Sequence, residues 1–370
     1  MNLYDPLELA DLAAAVALEI KEDLDKQWYE ASGIELCIRW LPTKDVKANA
    51  SAEPSLQNIE RHVISLSFGL VNAIYANALE FARFAHPGPG GQIEHGIHRL
   101  PKRFTMLHAA ELMFISGINF VIFHEVAHLN QNHGAIRALY GSSSNSCVSE
   151  FGIAGEAEVI GEQAAISHAT ELAADFEALD WMARMLRWYK GEEYLDHAYL
   201  QCAIVSCIML MFNDGRPVRL DAEASGTHPY PMIRMECWVR LYSERISVLT
   251  QPLDIVENKP TIVKMLDDTT LLALMSCLTR FECIDEPEYR DFCTGSSTHP
   301  NYKIYMSQII DIWSRHDEQA RNSRKYGGLL SLMYFTNDFR ESVGAVPNRN
   351  SLSEHLQRTE EVLARSRSQN

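Results

Sequence analysis

The sequence predicts a predominantly helical α+β fold, and three observations carry that expectation. Long, breaker-poor apolar stretches with helical spacing fill most of the chain beyond Leu70. Two short stretches near the N-terminus alternate in polarity and read as a small sheet. Segments rich in Pro, Gly and Ser punctuate the rest, so the helices are separate elements joined by loops. At 370 residues and 46% apolar, the chain can bury a sizeable core as one large domain or two ordinary ones.

The elements follow in order. Asp5-Pro6 is a helix start, and the amphipathic pattern from Leu7 runs to about Glu30, where Gly33 stops it. Ile34–Leu41 alternates as a half-buried strand, and His62–Phe68 does the same. A helix is expected over Leu70–Phe84, then a loop at His86-Pro87-Gly88-Pro89-Gly90-Gly91. From Phe104 to about Leu139 the pattern predicts one long buried helix. Gly141–Gly161 is a Gly/Ser-rich flexible connection, read either as a lid or substrate contact or as plain disorder. Further helices are expected over about Ala164–Tyr189, Tyr199–Phe212 and Pro229–Val248. Gln251–Pro260, with two prolines, marks a boundary. It divides a first domain, 1–250, from a helical C-terminal region, 251–370, with segments near Thr261–Thr279, Lys303–Arg315 and Ser351–Ser366.

Charge and cysteine usage narrow the class of function. A formal net charge of −16 argues against a nucleic-acid-binding surface, which needs clustered Lys and Arg, and against docking on anionic lipid. The eight cysteines are scattered without a C-x-x-C pair, as expected of reduced thiols in a cytoplasmic protein. The N-terminus lacks the basic region of a signal peptide. The longest apolar runs, near Leu112–Phe123 and Cys202–Phe212, fall short of the ~20 residues of a membrane span.

Inside the long apolar helix stands His124-Glu125-Val126-Ala127-His128. At about 100° per residue the two histidines lie about 40° apart on one helix face, so both can reach one metal ion. Glu125 starts close enough to activate a water there. The pentapeptide alone would arise by chance in roughly a few per cent of such chains, so a third ligand must support it. Glu171-Leu172-Ala173-Ala174-Asp175 offers one. Two carboxylates four residues apart share a helix face, and on a buried face they need compensation. A metal ion would compensate Glu171, while Asp175 would take the free N–H of a ligating imidazole. Read alone, the pair also fits two solvated carboxylates; following the first motif, the metal reading is preferred.

H-E-x-x-H on one helix with E-x-x-x-D on a later one resembles the gluzincin zinc metallopeptidases. The likeness is to the group of the CAAX-prenyl endopeptidase and the bacterial heat-shock membrane endopeptidase, and to soluble peptidases such as the Lit-type phage-exclusion peptidases. It covers roughly Val63 to Leu241. Two details extend it: a histidine, His133, five residues after His128, and the stretch His228-Pro229-Tyr230-Pro231-Met232-Ile233-Arg234. The resemblance implies a gluzincin-like core holding Zn²⁺ through His124, His128 and Glu171. It implies His228 near the metal as an aid to the oxyanion, and Arg234 orienting Asp175 or the Glu171 helix. The same stretch also fits a proline-started helix with an ordinary histidine. The membrane-bound members carry transmembrane helices near the motif; this chain has none at sequence level, which sets prenylated or membrane substrates aside.

Other residues weigh less. On a continuous helix His133 would point about 180° from His124, so a packing or capping role is expected. His168 can share a face with Glu171 and is a weaker ligand candidate, read first as a surface or supporting histidine. The strand at His62–Phe68 fits either sheet core or an edge that pairs an extended substrate. The expectation is a cytoplasmic zinc endopeptidase that acts on a protein or peptide substrate. Glu125 serves as general base and His228 as helper. The alternative is a silent peptidase-like scaffold that binds a protein partner, its zinc structural.

Overall fold

The computed structural model describes residues 4–54, 60–86, 99–141, 147–149, 159–212, 221–250, 259–281, 299–348 and 350–368. It is predominantly helical with one small mixed sheet, the fold class the sequence predicts. Helix α1, Pro6–Leu24, opens on a reciprocal cap between Asp5 and Glu8 with Pro6 in its first turn. It runs through a π-helical turn, Asp25–Tyr29, and a last turn α2, Glu30–Ser32. Gly33, at φ +67°, then supplies the left-handed residue that ends it.

Strands β1 (Glu35–Leu41), β2 (Ala48–Pro54) and β3 (Glu60–Ser67) are joined by a short β4 (Cys147–Ser149) in the order β1-β3-β2-β4. β1 lies parallel to β3, whereas β2 is antiparallel to both β3 and β4. β3 is therefore interior, which removes it as a substrate-pairing edge. β2 was not legible in the sequence: Ala48-Asn49-Ala50-Ser51-Ala52 has low strand propensity and is held by its pairing to β3.

Ser67 caps α3, Phe68–Ala85, and Thr105 caps α4, Met106–Asn130. α4 is apolar around nearly its whole circumference, so it must lie at the centre. It packs against α1, α3, β2, α6 (Gly161–Met185) and α7 (Glu192–Met211). Gly117 permits that closeness. A methyl group there would stand 2.6 Å from Ile74 Cγ2 and 3.0 Å from Ile204 Cγ1. α4 and α7 are long and apolar enough to cross a membrane by length and composition. Their most apolar stretches are nevertheless 61% and 83% buried within the molecule, as for core helices.

The expected single helix over 104–139 is broken. α4 ends at Asn130, Asn132 adopts a left-handed conformation (φ 52°, ψ 45°), and a short α5, His133–Ala138, departs in a new direction. Asparagine tolerates that region better than most residues, which lets the chain reverse without glycine.

Helices α8 (Pro231–Thr250) and α9 (Lys259–Phe281) pack on each other and on α7. α10 (Pro300–Trp313), α11 (Asp317–Ser323), α12 (Asn337–Val343) and α13 (Leu352–Ser368) complete the chain. Tyr305, Ile309 and Trp313 of α10 share a core with Ala165, Ile166, Ala169 and Leu172 of α6. The loop at 87–91, most of the Gly/Ser-rich connection and residues 251–258 lie outside the described residues.

Candidate metal centre

The centre forms where α4 crosses α6. His124 and His128, one turn apart, face Glu171 across that crossing, and all three are fully buried. His124 Nε2 lies 3.1 Å from His128 Nε2 and 3.4 Å from Glu171 Oε2, and His128 Nε2 lies 3.7 Å from Glu171 Oε1. Tetrahedral zinc with donor bonds of about 2.0–2.1 Å spaces its ligands about 3.3 Å apart, so the triangle has the right size. The donor chemistry fits as well. His124 Nδ1 lies 2.9 Å from Asp175 Oδ1, so its N–H faces the carboxylate and Nε2 keeps a lone pair turned to the other donors. Burial pushes the His128 imidazole well below its ordinary 6.5, opposed in part by Glu171, so the ring is neutral as a ligand must be. Two histidines and a carboxylate at this spacing fit a divalent metal ion.

Two arginines surround the carboxylates. Arg234, on α8, donates Nε to Asp175 Oδ2 and Nη2 to Asp175 Oδ1, each at 2.7 Å, and its Nη1 stands 3.5 Å from Glu171 Oε2. Burial raises the Asp175 carboxyl, but Arg234 and His124 outweigh it, so the group sits below its ordinary range. Arg137, on α5, donates to Glu171 Oε1, to Thr170 Oγ1 at 2.7 Å and to the Ser167 carbonyl at 3.3 Å. Nothing in the sequence marked Arg137. It reaches Glu171 only because the chain reverses at Asn132, and only a broken helix would have suggested it.

The same reversal overturns the expectation for His133. It does not point away from the centre; its Nδ1 meets His128 Nδ1 at 2.8 Å, and its Nε2 meets Gln131 Oε1 at 3.2 Å. Gln131 Nε2 in turn donates to the Glu177 carboxylate at 2.7 Å and to the Ala173 carbonyl at 3.3 Å. His133, Gln131 and Glu177 have no exposed surface.

Glu125 is likewise wholly buried, one residue beyond His124 on α4. His168 is not on the surface: its Nδ1 is 2.9 Å from the Tyr305 hydroxyl, and burial lowers its pKa to about 3. His228 lies half-buried before α8, with Nδ1 2.7 Å from Thr227 Oγ1. The geometry thus brings together His124, His128, Glu171, Asp175 and Arg234, with His228 on the segment leading to Arg234.

Residues 82–246 match the sequence model of a family described as Peptidase U49, which spans α4, α6 and most of α8. No curated protein and no solved structure matches the chain. The family match supports a peptidase, a hydrolase of peptide bonds in a protein substrate.

Proposed function

We propose that this chain is a cytoplasmic zinc-dependent endopeptidase, with His124, His128 and Glu171 as the metal ligands and Glu125 as general base. The observation that carries the reading is the triangle of buried donors on α4 and α6, inside the segment that matches a peptidase family. Zinc, when bound, supplies a Lewis acid that polarises the scissile carbonyl and acidifies water. Glu125 takes the proton of the attacking water and passes it to the leaving amine. Asp175 holds His124 in the tautomer that ligates, and Arg234 holds Asp175 in a two-pronged ion pair. His228 donates to the oxyanion that develops at the carbonyl. Eight scattered cysteines, of which Cys37, Cys202, Cys207, Cys237 and Cys277 are free thiols, support the reducing compartment.

Glu125→Gln is expected to keep stoichiometric zinc while turnover falls by roughly 10²–10⁴-fold. Glu171→Ala is expected to lose both. The measurements are metal content by atomic emission and a proteome-wide comparison of fragments made by wild type and Glu125→Gln. Wild-type protein purified without chelators and lacking stoichiometric zinc would overturn the proposal. Stoichiometric zinc with no fragment that depends on Glu125 would point instead to a partner-binding scaffold with a structural metal.

A further inference from the structure

We infer that His133 is a positioning residue that fixes the tautomer of His128, under instruction from a backbone carbonyl on α6. The inference rests on the proposed metal-ligand role of His128. Its starting point is the Ala173 carbonyl, which can only accept a hydrogen bond. The Gln131 side-chain atom facing both that carbonyl, at 3.3 Å, and Glu177, at 2.7 Å, must therefore be the amide nitrogen. The other end of the amide is then the oxygen, and it faces His133 Nε2. An oxygen acceptor there requires a proton on His133 Nε2, and in the neutral ring that full burial favours, Nδ1 is left as an acceptor. The 2.8 Å contact between the two Nδ1 atoms then requires the proton to sit on His128 Nδ1. His128 Nε2 is left with its lone pair, aimed at His124 Nε2 and Glu171.

The chain of constraints does not depend on the ionisation of Glu177, because the Ala173 carbonyl alone orients the amide. Nor does it need a metal: the tautomer is set in the empty protein. The two ligating imidazoles are thus prepared by different devices. His124 turns its Nδ1–H to a carboxylate, Asp175, whereas His128 donates its Nδ1–H to a neutral imidazole. A second carboxylate against His128 would add one more buried negative charge to a crossing that already holds Glu125, Glu171 and Asp175. The neutral relay fixes the ring without that charge. The left-handed Asn132, the one non-glycine residue at positive φ among the described residues, makes the relay possible by folding His133 back onto His128.

Three full-length variants test this. His133→Leu removes the acceptor, Gln131→Leu frees the His133 tautomer, and His133→Asn retains an oxygen where Nδ1 stood. Zinc affinity, measured by competition with a chromophoric chelator, is expected to fall roughly 10–100-fold in His133→Leu and Gln131→Leu. It should recover most of that loss in His133→Asn. In the metal-free wild type, ¹⁵N-resolved imidazole spectra should show His128 protonated on Nδ1, with a mixed tautomer population in Gln131→Leu. Wild-type zinc affinity in the folded Leu variants, or a metal-free His128 protonated on Nε2, overturns the inference. A wild type that binds no zinc defeats the metal reading instead, and the tautomer spectra still decide the role of His133.

Discussion

At the scale of single residues, the centre is an array of buried charges that only makes sense as a set. Glu171, Asp175 and Glu125 lie at the crossing with Arg137 and Arg234, all within a few per cent of full burial. An isolated charge there would be prohibitively costly, so each is held by a partner or by the ion that the ligands await. Arg234→Met keeps the bulk and removes one cation from the pair with Asp175. It is expected to destabilise the fold by about 3–5 kcal/mol, the cost of an uncompensated buried carboxylate, as read by urea unfolding. A loss under about 1 kcal/mol would mean that Asp175 is compensated without Arg234. The sequence carried His124, Glu125, His128, Glu171 and Asp175 because spacing on a helix is a property of the helix alone. It placed His133 on the wrong side, since that inference assumed an unbroken helix. It was silent on Arg137, which meets Glu171 only through the turn at Asn132.

At the scale of elements, α4 carries the burden of both fold and site. Its apolar circumference commits it to the centre, and the same burial gives the ligands a dry setting in which electrostatic interactions are strong. Gly117 sets how closely α3 and α7 approach it. Gly117→Ala is expected to cost about 1–3 kcal/mol through overpacking against Ile74 and Ile204, although alanine favours a helix. Thermal unfolding followed by circular dichroism measures it, and an unchanged or raised midpoint would show that the α3–α4–α7 contact yields without strain. The sheet teaches a complementary lesson. β1 and β3 show their alternation in sequence, but β2 is a strand of small residues that exists because β3 and β4 pair with it.

At the scale of the whole molecule, the segments beyond α9 are bound into the same body as the centre. Tyr326 hydrogen-bonds Tyr29 through their hydroxyls at 3.0 Å and stacks on Trp28, while its carbonyl accepts from Asn130 Nδ2 at 3.0 Å. Asn130 also donates to Glu177 at 2.6 Å, so the N-terminal helix, the C-terminal segment and the relay behind His128 share one network. Burial also gives the fold a pH dependence. His168 is held neutral by burial down to about pH 3, and His355, buried and beside Arg321, to about pH 4. Unfolded, both titrate near 6.5, so below that pH the unfolded chain takes up protons that the folded chain refuses. Stability should fall as pH drops from 6.5 towards 4, by at most about 1.4 kcal/mol per pH unit for each histidine. Melting temperatures at pH 7, 6, 5 and 4.5 check this, and a midpoint that rises on acidification would contradict it.

The sequence by itself determined the fold class and the main donors, because hydrophobic periodicity and ligand spacing are local and survive any packing. Tertiary structure alone decided which helix breaks, which strand joins the sheet and that a second arginine, Arg137, joins Arg234 at the carboxylates. Those outcomes depend on contacts between residues far apart in the chain, such as Arg137 with Glu171 and β2 with β3, and no local pattern encodes their geometry.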